Sequence, residues 1–175
     1  MAAFLRRHVL AVSLLGVLAV AGVAFVAVWF QPQQLFLDKT VRETLPPEAV
    51  ASPAVSSSGS PGPVATVLAR SAFRSRAHHA AGDVRVIRQA NGERILRIEN
   101  LDVENGPDLY VTLAEAAADA PNGAFDSAYV SLGRLKGNKG DQTYAIPADV
   151  DLSRYASVAI WCERFSSLFG AAPLR

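Results

Sequence analysis

The sequence predicts an all-β domain, an antiparallel β-sandwich or barrel, preceded by one N-terminal transmembrane helix. Three observations predict it. Residues 9–30 carry no Asp, Glu, Lys or Arg. Residues 46–63 are dense in Pro, Ser and Gly. From Val64 onward, short apolar runs alternate with turn signals and no long helical period occurs. The 175 residues leave room for one compact domain with an anchor and a linker.

Residues 1–8 read as a short cytoplasmic N-terminus and 9–30 as the span. About 20 apolar residues in a helix cross a hydrocarbon core, and lipid forces the backbone to satisfy its hydrogen bonds internally. Arg6 and Arg7 precede the block, whereas Asp38 and Lys39 are the first charges after it. The positive-inside rule then keeps the N-terminus in the cytoplasm and carries the rest out. Trp29 suits the outer aromatic belt. The block exceeds the about 7–15 residues of a signal-peptide core and ends in Trp29, Phe30 and Gln31 rather than small residues. The expected location is the cell membrane, single-pass, with the C-terminal domain extracytoplasmic and the lipid bilayer as partner.

Residues 31–63 form the tether. The mixed stretch 31–44 allows a short membrane-proximal helix, with Leu35, Phe36 and Leu37 on the membrane surface or on the domain. Residues 46–63 cannot bury apolar surface and read as a flexible, partly extended linker. At about 3.3 Å per residue or less, it could hold the domain several nanometres from the bilayer.

The domain is 64–175. Val84 and Val86 alternate with polar neighbours as a strand. Asn91-Gly92 signals a hairpin, and residues 94–101 return. Asn105-Gly106-Pro107-Asp108 is a turn, after which Leu109, Val111 and Leu113 point inward. Residues 114–120 are alanine-rich, a helical turn or a loop excursion. Residues 128–135, 142–146 and 157–165 complete the strand set, with a glycine-punctuated loop at 135–140.

Composition narrows the function. A net charge of +1 gives no basic field, so nucleic acid is not a partner. The chain has one cysteine, Cys162, so neither an intrachain disulfide nor a Cys-rich metal cage can form. No Gly-x-Ser-x-Gly elbow, His-Glu-x-x-His or Walker spacing occurs, and the chain does not read as an independent enzyme. Asp108, Asp141 and Asp151 sit beside turns, where aspartate caps backbone more often than it binds calcium.

Cys162 is the sharpest candidate. Strand alternation puts it with Val158 and Ile160 on one face, and Ala159 with Trp161 on the other. It is either a small buried hydrophobe or a redox thiol or ligand; burial disfavours the reactive thiolate. His78 and His79 point to opposite sides of an extended chain, so they do not chelate one ion together. Tyr110 and Trp161 either line a ligand groove or pack beneath a loop. A blue-copper site needs two histidines and a weak axial ligand with its cysteine, yet no histidine follows Cys162 and the sole methionine is Met1. Without Cys-x-x-Cys-His, covalent haem is excluded; non-covalent haem, a metal, or no cofactor at all stay open.

An ordered set of fragments resembles the DM13 domain family. Phe73 precedes His79-Ala80-Ala81-Gly82 and Asp83-Val84-Arg85-Val86. Asn105-Gly106-Pro107-Asp108-Leu109-Tyr110-Val111 follows, then Tyr129-Val130-Ser131-Leu132-Gly133 and Leu135-Lys136-Gly137-Asn138-Lys139-Gly140. Asp151-Leu152, Tyr155 and Ser157-Val158-Ala159-Ile160-Trp161-Cys162 close the series, with Phe165 and Phe169-Gly170. The resemblance covers nearly all of 71–174. It implies a membrane-anchored bacterial module, a β-sandwich found in extracytoplasmic proteins, with a proposed electron-transfer role and a redox protein partner. It places the family's cysteine on Cys162 and its His-x-x-Gly histidine on His79, making these the redox or cofactor-contacting residues. A His79–Cys162 pair would suit a soft metal or a haem axis. The alternative is a non-enzymatic binding or scaffold module for a cell-envelope partner.

Overall fold

The computed structural model describes residues 12–25, 37–45 and 64–174, divided between two compact units, Met1–Leu37 and Asp38–Arg175. In the first unit, residues 12–25 form a helix with every side chain exposed. At 1.5 Å per residue it is about 21 Å long, short of the about 30 Å hydrocarbon core. No helix among the described residues is long and apolar enough to cross a membrane. The rest of the expected span, 9–11 and 26–30, lies outside the described residues, as do the N-terminal residues 1–8 and the linker 46–63.

Among its described residues the second unit holds ten strands: β1 Thr40–Arg42, β2 Thr66–Ala72, β3 Arg74–Ser75, β4 Ala80–Arg88, β5 Arg94–Val103, β6 Leu109–Ala114, β7 Tyr129–Arg134, β8 Lys139–Ile146, β9 Ser157–Cys162 and β10 Ser167–Pro173. They form two five-stranded sheets, ordered β1-β8-β5-β4-β2 and β3-β10-β9-β6-β7. Both sheets keep free edges, so the architecture is the sandwich and not the closed barrel. The β4–β5 hairpin turns where the sequence placed it. Gln89 and Glu93 close the loop, and Gly92 supplies the positive φ of 90°.

The inner faces share one core. Val84, Val86, Leu96, Ile98, Tyr144 and Ile146 from one sheet meet Leu109, Val111, Leu113, Val158, Ile160, Cys162 and Phe169 from the other. A second cluster covers the outer face of β9, where Trp161 and Ala159 pack with Phe125, Leu168 and Ala171. The alanine-rich stretch supplies that cover as a loop ending in a 3-10 turn at Asn122–Phe125, with Ala116, Ala118 and Ala120 against the cluster.

The tether region departs from expectation. Of the stretch 31–44, the described part holds strand β1 and no helix. β1 pairs with β8 in parallel, the one parallel pairing among the described strands. Two glycines admit it. A Cβ on Gly140, whose φ is +95°, would run into the Val41 carbonyl, and one on Gly137 into the Lys39 carbonyl. Strands β2 and β10 were also not foreseen. The alternation of β2 is blurred by exposure, and Gly170 and Pro173 interrupt the pattern of β10.

Candidate functional site

One end of the sandwich collects most of the candidate residues. Register defines it: Ala80 faces Val103, Asp102 faces Lys139, and Leu109 and Ser167 both flank Cys162. The Asn91-Gly92 hairpin lies at the opposite end of β4 and β5. The loop 104–108 crosses the candidate end between the sheets. The Glu104 N–H donates to the His79 carbonyl at 3.1 Å, and the Glu163 N–H to the Asp108 carbonyl at 3.1 Å.

Cys162 is fully sealed, at 0 % exposure, on the inner face with Val158 and Ile160. Ala159 and Trp161 take the outer face, as alternation requires. His79 is not closed off as the sulfur is. Its ring is half exposed and its Nε2 lies 3.5 Å from the Asp102 carboxylate. The histidine that engages the core is its neighbour. His78 stacks on Phe169 with ring centroids 3.9 Å apart and planes 25° from parallel. Its Nδ1 pairs with Glu104 at 2.6 Å. Phe169 belongs to the same buried cluster as Cys162 and Leu109. Gly106 packs so closely here that a Cβ would come within 2.9 Å of both Leu109 and Phe169. Sequence reasoning missed the His78–Phe169 stack, because nothing in a one-dimensional pattern pairs residues from β10 and the β3–β4 loop.

Charged groups tie this end together. Lys139 reaches Asp38 at 3.0 Å and Asp102 at 3.6 Å. The hydrogen bond that Lys139 donates to Asp38 and the field of Asp102 raise the Lys139 pKa, while bonds donated by Asn138 and Lys139 lower that of Asp38. Further along β1, Glu43 is partly desolvated, which pushes its pKa up. The Lys136 ammonium and the Thr143 N–H outweigh this and hold it below the usual range. In the core beside them, burial pushes Tyr144 up to about 12, and its phenolic hydroxyl donates to Gln142 Oε1 at 2.7 Å.

Tyr110 and Trp161 are cross-strand partners on β6 and β9. Trp161 is 3 % exposed beneath the alanine-rich loop, and Arg134 lies 5.1 Å above the half-buried Tyr110 ring. A groove of about 660 Å³ lined by Arg42, Glu43, Arg97, Asn100 and Asp141 lies elsewhere. A cleft of about 390 Å³ lies by Gly92, Arg94 and Ala148. Neither touches Cys162, His79, Tyr110 or Trp161. The donor set does not fit a haem or metal held between His79 and Cys162, because the sulfur faces the closed core and the imidazole faces solvent. Among the described residues, no three His, Cys, Asp or Glu side chains are disposed to hold a metal ion.

Comparison with known families gives a match over residues 72–174 to the family described as "Electron transfer DM13". No curated protein and no solved structure matches the chain.

Proposed function

The chain belongs to the DM13 family, and on that premise we propose that it is a cell-envelope electron-transfer module, held to the membrane by its N-terminal segment with the β domain outside. The family description supports the redox role. The uncharged block 9–30 behind Arg6 and Arg7 supports the tether and its direction. The observation that carries the redox reading to particular residues is the His78–Phe169 stack. It runs from a partly exposed imidazole to a ring in the cluster that holds Cys162. The module hands electrons between partners and transforms no substrate, in keeping with its lack of hydrolase or nucleotide motifs. Cys162 and Phe169 belong to the inner end of the route, and His78 with His79 to the face a partner meets.

The test is a mediated redox titration of the full chain in nanodiscs. A reversible wave is expected, shifted in Cys162→Ala and slowed in His78→Ala. A wild-type chain with no wave, and no absorbance from a bound cofactor, sinks this reading. One observation favours a second reading, a non-enzymatic binding or scaffold module: the sulfur is sealed and neither cavity described above reaches it. Under that reading Cys162→Ser leaves function intact, whereas Tyr110→Ala abolishes ligand capture.

A further inference from the structure

The polypeptide joins the β domain at the candidate end. β1 runs alongside β8 with Thr40 opposite Lys139, and Lys139 is opposite Asp102. Asp38, just before β1, accepts from Asn138 at 2.7 Å and from Asn105 at 3.3 Å, and pairs with Lys139 at 3.0 Å. Asn105 follows Glu104, the partner of His78, and Lys139 bridges to Asp102, the partner of His79. β1 is pinned at its far side as well. The Glu43 carboxylate takes Lys136 at 2.8 Å and the Thr143 N–H at 2.7 Å, and its carbonyl takes Arg97 at 2.6 Å.

This docking changes what the proline-rich stretch does. Residues 46–63 come after β1, and the residues flanking them, Leu45 and Ala65, both pack on Ile87 and Ile95. The stretch that leads from the uncharged block to the domain therefore ends ahead of them, at Asp38. Only seven residues, 31–37, separate the uncharged block from Asp38. Fully extended, they span about 25 Å.

The same end carries a second, independent feature. The β9–β10 turn, Glu163–Phe165, exposes Phe165 at 67 % beside exposed Arg164. Its Glu163 N–H bonds the Asp108 carbonyl at the foot of the 104–108 loop, so the turn is part of the candidate end. An exposed aromatic beside a cation suits the headgroup layer of a bilayer, where the ring gains apolar contact and the charge stays wet.

We propose that the His78–His79 end of the sandwich rests against the bilayer surface with Phe165 as its interfacial side chain, so that the redox partner met there is itself membrane-held. The inference rests on the membrane-tethered electron-transfer reading. The partner's docking face is polar, since this end offers Asp38, Asp102, Glu104, Lys139 and two imidazoles.

The experiment uses the full chain in phosphatidylcholine nanodiscs, with and without anionic lipid and with no other protein. A spin label on Phe165→Cys is compared with one on Asn91→Cys in the opposite hairpin. The label at 165 is expected to be relaxed by a lipid-soluble agent and shielded from a water-soluble one, with the label at 91 showing the reverse. Inserting twenty Gly/Ser residues between Leu37 and Asp38 should weaken that protection about eightfold, following the −3/2 power of tether length. The same insertion within 46–63 should leave it unchanged. Equal water exposure at both labels, or equal effects of the two insertions, overturns the proposal. Because nothing here reads electron flow, a protected label on a chain without a redox wave would fault the electron-transfer reading alone. Failure of the chain to enter nanodiscs would overturn both.

Discussion

Replacing Gly140 with valine should expel β1 from the sheet. Two costs add. The backbone at residue 140 has φ +95°, a conformation that costs an L-residue about 1–3 kcal/mol. The new Cβ also meets the Val41 carbonyl, so strand and side chain cannot coexist. Once β1 leaves, Arg97, only 3 % exposed, loses the Glu43 carbonyl that its guanidinium bonds at 2.6 Å. Its Nη1 keeps the bond to Thr143 Oγ1 at 3.1 Å, so the cost is that of one lost charged hydrogen bond, about 1–3 kcal/mol. The total of about 2–6 kcal/mol is a large share of a typical domain's about 5–15 kcal/mol. Gly92→Val is the internal control. Its φ is +90°, yet a Cβ there meets nothing within 4 Å, so it carries the backbone strain alone. Urea unfolding followed by Trp161 fluorescence gives the two midpoints, and hydrogen exchange of residues 40–43 reports the strand. Gly140→Val should fall further than Gly92→Val and lose protection at 40–43. Equal midpoints, or protected amides at 40–43 in the Gly140 variant, would refute the clamp.

Acid should loosen the same strand. Asp38 and Glu43 both have folded pKa values below their ordinary values of 3.8 and 4.5. Their contribution is therefore complete above pH 4.5 and lost as pH falls through the depressed folded values; exchange at 38–43 should quicken only in that acid window. Alkali acts on the core in the opposite sense. Tyr144 is raised from 10.0 to about 12, so its contribution is intact below pH 10 and disappears as pH climbs toward 12, a loss of about 2–3 kcal/mol in a pH series of melts. Cys162 should resist maleimide in the native chain and react fully in denaturant, and Cys162→Ser should cost about 1–3 kcal/mol by burying an unpaired hydroxyl; rapid native labelling would contradict the sealed core. Gly106→Ala should destabilise the candidate end and disturb the His78 ring, visible as a shifted imidazole resonance, because its Cβ would press on Leu109 and Phe169.

Much of the architecture was legible in one dimension. The period-two alternation of Val84 and Val86, and of Leu109, Val111 and Leu113, reports which side of a pleated strand meets the core, whatever that strand pairs with. Asn91-Gly92 encodes its own turn, because only the backbone at that site must accept a positive φ. The alternation of Cys162 with Trp161 was readable for the same reason, and it places the sulfur inside and the indole outside the inter-sheet core.

Local signals could not reach the contacts that define the candidate end. β1 is three residues long with little apolar character, and its place is set by a recess at Gly137 and Gly140 nearly a hundred positions away. The sequence pointed to His79; only the fold sets His78 on Phe169 and leaves His79 with Asp102. The residues alone determined the all-β class, the buried faces of β4, β6 and β9 and the family, because these depend on periodicity and on order along the chain. Tertiary structure alone decided which histidine touches the core, that the sulfur is closed off, and that the chain joins the domain beside them. Those facts depend on which strands become neighbours, a property of the assembled sheets and of no single stretch of sequence.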